Sequence, residues 1–306
     1  MNDKKFLALA SLLIILAFIG YIIFDTVRNE RKPHEIKADI VQPGPADKWQ
    51  IAQTIECLKG LKAVAVSPEG IIYAGGESYI VSYNSNLNKI WQIEMPERIS
   101  ALAVNGDTLF AASEELIYLL SPDGKIINDW GPYEAKCLIT SLSANKDYLA
   151  VADAVNKIVF VIKKDGEVFS MIGHSEEKLL IPSPYFDVCL TDDNKLYLAH
   201  TGKHRIEQWG VDGQFISSFG ESGSDPGKFC GCCNPAHFTI SPGGFITAEK
   251  GINRIKVSGL SGEFIEFVSS VNGFIASAPL DIASSGEDKI YGANPSDSKL
   301  YVFMRK

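Results

Sequence analysis

The chain has 306 residues, 46% hydrophobic and 22% charged, a balance that excludes a disordered, collagenous or multi-span membrane protein. Formal charge is −8; residues 1–37 hold six basic against four acidic side chains, which leaves −10 on residues 38–306. A body this acidic repels phosphate backbones and argues against a nucleic-acid partner.

Residues 1–5 form a short tail in which Lys4 and Lys5 precede an uncharged run. That run, Phe6 to Phe24, is 19 residues long. As a helix it measures about 28 Å, enough to cross a hydrocarbon core. It ends Ile22-Ile23-Phe24-Asp25, without small residues for signal cleavage and without a following Cys for lipid attachment. The sequence therefore predicts a transmembrane anchor at 6–24 with the tail inside. The bulk is expected on the extracytoplasmic side of the cytoplasmic membrane. Arg28, Arg31 and Lys32 on the far side dilute that orientation signal. Residues 25–47, with Pro33, Pro43, Gly44 and Pro45 among charges, read as a linker.

From residue 48 onward one unit recurs: an apolar strand, a Ser/Asp/Gly/Asn turn, and a second strand. Val64-Ala65-Val66 turns through Ser67-Pro68-Glu69-Gly70 into Ile71-Ile72-Tyr73-Ala74, and Leu102-Ala103-Val104 turns through Asn105-Gly106-Asp107 into Leu109-Phe110-Ala111. The aligned positions are Ala63, Ala101, Ser141, Asp187, His237 and Asp281, spaced by 38, 40, 46, 50 and 44 residues. A third strand follows each pair, as in Ile158-Val159-Phe160-Val161, and a fourth follows turns such as Ser121-Pro122-Asp123-Gly124. Alternation and turn chemistry both specify β-hairpins. Six units of four strands predict an all-β, six-bladed β-propeller over 48–306. The sixth unit stops after its third strand, so Lys48-Trp49-Gln50-Ile51-Ala52 is expected to supply the fourth and close the ring.

Asp193-Asn194-Lys195-Leu196-Tyr197 followed by Thr201-Gly202-Lys203-His204-Arg205-Ile206 resembles an NHL repeat, with Lys203 where the name-giving motif has asparagine. Gly251-Ile252-Asn253-Arg254-Ile255 is similar to the same motif, and Phe219-Gly220 with Pro226-Gly227-Lys228-Phe229 resembles an NHL inter-blade linker. Phe229-Cys230-Gly231-Cys232-Cys233-Asn234-Pro235-Ala236-His237-Phe238 looks like a run found in a bacterial subgroup of such propellers. The resemblance spans residues 48–306, most specifically blades 4 and 5. It implies a propeller used mainly for binding, with enzymes as a minority, and leaves the function of this chain open.

Propeller topology gathers the starts of the innermost strands and the ends of the second strands at one channel mouth. The polar residues expected there are Asp153, Asp187, His200, His237, Glu249, Asp281 and Asn294. A polar group at the end of a second strand commonly bonds the backbone of the next turn, and buried polar groups need such partners. Two histidines with two carboxylates also suit a divalent metal or acid–base work.

Cys57, Cys137, Cys189, Cys230, Cys232 and Cys233 are the six cysteines. Cys189 reads as a small hydrophobe inside a strand. The other five map to the same face, Cys230, Cys232 and Cys233 in the linker just before His237. Three readings stay open: a local disulfide, structural thiols, or a soft-metal or iron–sulfur site. The metal candidates are Cys230, Cys232, Cys233 and His237, with Cys137 and Cys57 weaker. The expected function is a membrane-anchored binding or assembly module with a protein partner, its Cys/His cluster serving metal or redox chemistry. The alternative is a metal-dependent lactonase- or lyase-like enzyme using Asp187, His200, His237 and Asp281.

Overall fold

A computed structural model describes residues 11–21, 48–174, 178–252, 254–269, 274 and 278–306. The chain divides into two units, Met1–Ile40 and Val41–Lys306. In the first, residues 11–21 are helical with every side chain exposed. Among the described residues no helix is long and apolar enough to cross a membrane. The predicted span is therefore described only over 11–21. Its remaining positions, the tail 1–5 and the linker 25–47 lie outside the described residues.

The second unit is a six-bladed β-propeller, six antiparallel sheets of four strands each. The innermost strands are Leu61–Val66, Ala101–Asn105, Ile139–Ala144, Val188–Leu190, His237–Ser241 and Asp281–Ser285. Second and third strands are almost wholly buried, as in Ile72–Gly76 and Tyr79–Tyr83, because neighbouring blades cover both of their faces. The outermost strand of blade 2 faces water, all but Trp130 of Ile126–Trp130 being exposed, whereas Phe264–Ser269 of blade 5 buries Glu266, Phe267 and Val268.

Apolar side chains therefore collect between blades. Six buried clusters each bridge two neighbouring blades, for example Ala112, Ile117 and Phe110 of blade 2 against Leu149, Val151 and Phe160 of blade 3. Aromatic clasps extend this outward. The Trp91 indole N–H donates to Pro122 O on the next blade at 2.8 Å. Phe219 packs on Gly262, whose φ of +92° and missing Cβ let the ring sit against the backbone.

Closure is made by Trp49–Glu56, a longer strand than the sequence suggested, paired antiparallel with Lys299–Arg305 in the sixth sheet. Trp49 is buried, its Nε1–H donates to Glu266 Oε1 at 2.9 Å, and the Arg305 guanidinium lies 5.1 Å from its ring. The innermost strands surround a central channel containing a cavity of about 200 Å³, lined among others by Ser141, Asp187, Cys189 and Asp281.

Candidate functional site

Asp187, the residue before one innermost strand, meets His237 and Asp281, which begin two others, at the channel mouth. His237 of blade 5 points its Nδ1 at Asp187 Oδ2 of blade 4 (3.7 Å) and Asp281 Oδ1 of blade 6 (3.5 Å). Both carboxylates are also structural staples. Asp187 Oδ1 accepts the Ser141 hydroxyl and the Val188 N–H, the latter at 2.9 Å, while its Oδ2 accepts the Phe238 N–H at 2.6 Å. It thereby ties blades 3, 4 and 5. Asp281 Oδ2 accepts the Val64 N–H at 2.8 Å and ties blade 6 to blade 1. The His237 Nδ1 is buried and has no hydrogen-bond partner.

Burial sets the protonation of this trio. It holds His237 neutral, down to about 3, with Lys62 adding repulsion. It raises Asp281 to about 8, helped by the Asp187 charge and opposed by the Val64 and Ile282 N–H groups and Lys62. Asp187 rises to about 6, restrained by its Ser141, Phe238 and Val188 donors. Near neutral pH burial favours a protonated Asp281 beside a neutral His237.

Tyr185 stands edge-on to His237, ring centroids 6.1 Å apart, and carries Lys250 Nζ 4.7 Å above its face. Lys250 and Ser183 also act on Cys233: burial raises that thiol, Ser183 opposes, the adjacent Cys232 raises it further, and Lys250 opposes. Cys233 is buried and Cys232 exposed, with sulfurs 3.1 Å apart. The linker carrying them is bolted to blade 5. Asn234 Oδ1 accepts the Lys250 N–H at 2.7 Å, and Asn234 Nδ2 donates to Lys250 O at 2.8 Å and to Cys230 O.

The remaining candidates are committed elsewhere. His200 is not free at the mouth: Nε2 accepts the Leu180 N–H at 2.8 Å, and Nδ1 lies 2.7 Å from Glu207 Oε1. Despite its burial, Glu207 is held down at about 2 by hydrogen bonds from His200 and Arg205. Asp153 caps a turn, its Oδ1 accepting the N–H groups of Leu138, Val155 and Asn156. Asn294 Oδ1 accepts the Ser296 N–H. Glu249 is buried and holds Arg254 Nε at 2.8 Å and Lys256 Nζ at 3.1 Å.

Nor do the expected metal ligands assemble. Cys230, Cys232 and Cys233 stay with the linker, while His237 turns to the two aspartates. Cys137 donates to Glu134 O at 3.0 Å and Cys57 lies 3.8 Å from the Tyr83 hydroxyl, each alone in its own blade junction. Among the described residues no three of His, Cys, Asp and Glu form a group able to hold a metal ion. The structure holds all six cysteines unpaired, with Cys232 and Cys233 the two whose sulfurs meet.

Sequence reasoning missed what does brace it. Lys256 is completely buried in the third strand of blade 5, its Nζ donating to Pro226 O (2.9 Å) and Lys228 O (2.7 Å) and lying 4.4 Å from the Phe229 ring. Arg254 donates to Ser224 O and Lys228 O from the same strand. The signal was present: Ile255-Lys256-Val257 puts a charge in an apolar strand, where only acceptors from elsewhere in the fold can match it.

No family model and no curated relative matches this sequence. Solved structures do match. Streptogramin B lyase is 12% identical, with a TM-score of 0.62 over 86% of this chain and 100% of that one. Virginiamycin B lyase from Staphylococcus aureus is 14% identical, with a TM-score of 0.59 over 84% and 99%. A chain of the Mitotic Checkpoint Complex is 9% identical, with a TM-score of 0.61 over 86% and 96%. At these identities the likeness establishes the shared propeller fold alone.

Proposed function

We propose that this chain is an NHL-type binding propeller, tethered to the cytoplasmic membrane by residues 6–24, that presents its channel mouth to a protein partner on the extracytoplasmic side. The observation that carries this reading is the contrast between sites. Asp153, His200 and Glu249 are bound into turns and blade interiors, whereas the mouth keeps an unpartnered His237 Nδ1 and an exposed Cys232 on a rigidly held linker. The uncharged run Phe6–Phe24, helical over 11–21, supports the tether. Propellers of the same fold in multi-protein assemblies agree with a partner. The metal-dependent lactonase- or lyase-like alternative has less support, since His200 is committed to Leu180 and Glu207, and both aspartates to backbone donors.

Photo-crosslinking in native membranes tests this. Crosslinkers replacing exposed Lys62 or the mouth residue Tyr185 are expected to give one discrete protein adduct; one replacing the exposed outer-strand Ile127 is not. Adducts from Ile127 alone, or none from the mouth, overturn the binding reading. Release of the intact chain by alkaline carbonate overturns the tether.

A further inference from the structure

We propose that Cys232 and Cys233 form a dithiol that exchanges with a disulfide of the protein received at the mouth; this rests on the binding reading above. Three observations converge. The two sulfurs are 3.1 Å apart, so Cys232 Sγ lies within reach of Cys233 Sγ. Their exposures differ: Cys232 is exposed, while Cys233 is 4% exposed and has Cys232 Sγ, the atom it would attack, 3.1 Å away. The linker is also fixed. Asn234 bonds to Lys250 and Cys230, the Cys230 N–H donates to Glu249 Oε2 at 3.3 Å, and Arg254 and Lys256 grip the carbonyls of Ser224, Pro226 and Lys228. That rigidity holds the pair near Lys250, whose Nζ lies 4.7 Å from the Tyr185 ring that stands edge-on to His237.

The division of labour follows from access. Cys232 loses its proton to solvent and its thiolate attacks one sulfur of the partner's disulfide. A bond forms between Cys232 Sγ and that sulfur, the partner's S–S bond breaks, and the second partner sulfur leaves as a thiolate that takes up a proton. Cys233, beside the Lys250 ammonium, then gives up its own proton and attacks Cys232 Sγ. A Cys232–Cys233 bond forms, the mixed disulfide breaks, and the first partner sulfur leaves and is protonated. Two electrons and two protons pass from the dithiol to the partner's disulfide, the oxidant of the step. A partner dithiol runs the same steps backwards.

Oxidised glutathione is the probe, with the reduced full-length chain in detergent and mass analysis of the peptide 229–250. Wild type is expected to release two glutathione thiols and leave this peptide two hydrogens lighter, with no lasting adduct. C233S is expected to stop at a stable glutathione adduct on Cys232, and C232S to react about tenfold or more slowly. The wild-type readout needs no variant, so misfolding of C233S would not remove the test. A lasting wild-type adduct, equal reactivity of C232S and C233S, or reaction at Cys230 instead overturns the proposal. Crosslinking from Tyr185 in the C232S/C233S double variant separates the two readings. An unchanged adduct with no exchange in wild type rejects exchange and keeps binding; loss of the Tyr185 adduct in wild type rejects binding itself.

Discussion

Asp281→Asn and Asp187→Asn change the same side chain at the same mouth and should act in opposite directions. Asp281 Oδ2 accepts the Val64 N–H at 2.8 Å, the Ile282 N–H also acts on the carboxyl, and Oδ1 lies 3.5 Å from Nδ1 of His237. An asparagine there can keep its carbonyl oxygen on the Val64 N–H and is neutral at every pH, as the protonated acid is. The wild-type acid is raised from 3.8 to about 8. Across that interval the folded chain binds a proton that the unfolded chain has lost. Its contribution to stability is complete below the unfolded value and disappears as pH rises through the folded one. At ~1.4 kcal/mol per pH unit the ceiling is about 5–6 kcal/mol. The 21% exposure of the side chain reduces this, and we expect D281N to be more stable than wild type by about 2 kcal/mol at pH 8–9, the difference vanishing near pH 4. Asp187 instead accepts at both oxygens, from Ser141, Val188 and Phe238. An asparagine must turn its NH2 toward one of these donors, at a cost of about 2–4 kcal/mol even at pH 8. Urea titrations of both variants at a series of pH values measure this. A D281N protein less stable than wild type at pH 8, or a wild-type difference flat across pH 4–9, refutes the reasoning.

Lys256→Met should cost about 2–3 kcal/mol by urea unfolding, below the ~3–5 of a fully orphaned pair because Arg254 still holds Glu249. It should also speed Cys233 alkylation as the linker loosens; a loss below about 1 kcal/mol would show that the clamp is dispensable. Trp49→Ala should lower thermal stability by about 3–5 kcal/mol through the sixth blade, and a neutral result would place ring closure elsewhere. Gly262→Ala puts a Cβ 2.3 Å from Phe219 Cδ2 at a φ of +92° and should cost about 1–3 kcal/mol; melting equal to wild type would contradict that packing.

Blade count and closure were legible because they rest on local signals: alternation, turn residues and a period near 44. The starts of the innermost strands were legible for the same reason, so Asp187, His237 and Asp281 could be put at one mouth before any coordinates. The state of each polar head was not. His200 occupies a position equivalent to Asp153 in its blade, yet its ring is occupied by Leu180, twenty residues back, and by Glu207 on the next strand. Five cysteines were expected on one face, but a face of a propeller is wide. Only Cys232 and Cys233 touch, while Cys57 and Cys137 each answer to a neighbour in their own junction. Buried Lys256 was legible as an anomaly and not as a clamp, since its acceptors lie about thirty residues away in a linker without regular structure.

The sixth blade joins Trp49–Glu56 to Lys299–Arg305, and the Lys306 N–H bonds Lys48 O at 2.8 Å. During synthesis, the strand that leaves the ribosome first must therefore wait for nearly every other residue before it can pair. Until then its apolar residues and both ring edges are open to other chains. Closing that loop is entropically the slowest step such a topology allows. A nascent propeller of this design keeps unpaired strand edges, and with them its exposure to aggregation, until Lys299–Arg305 has been made.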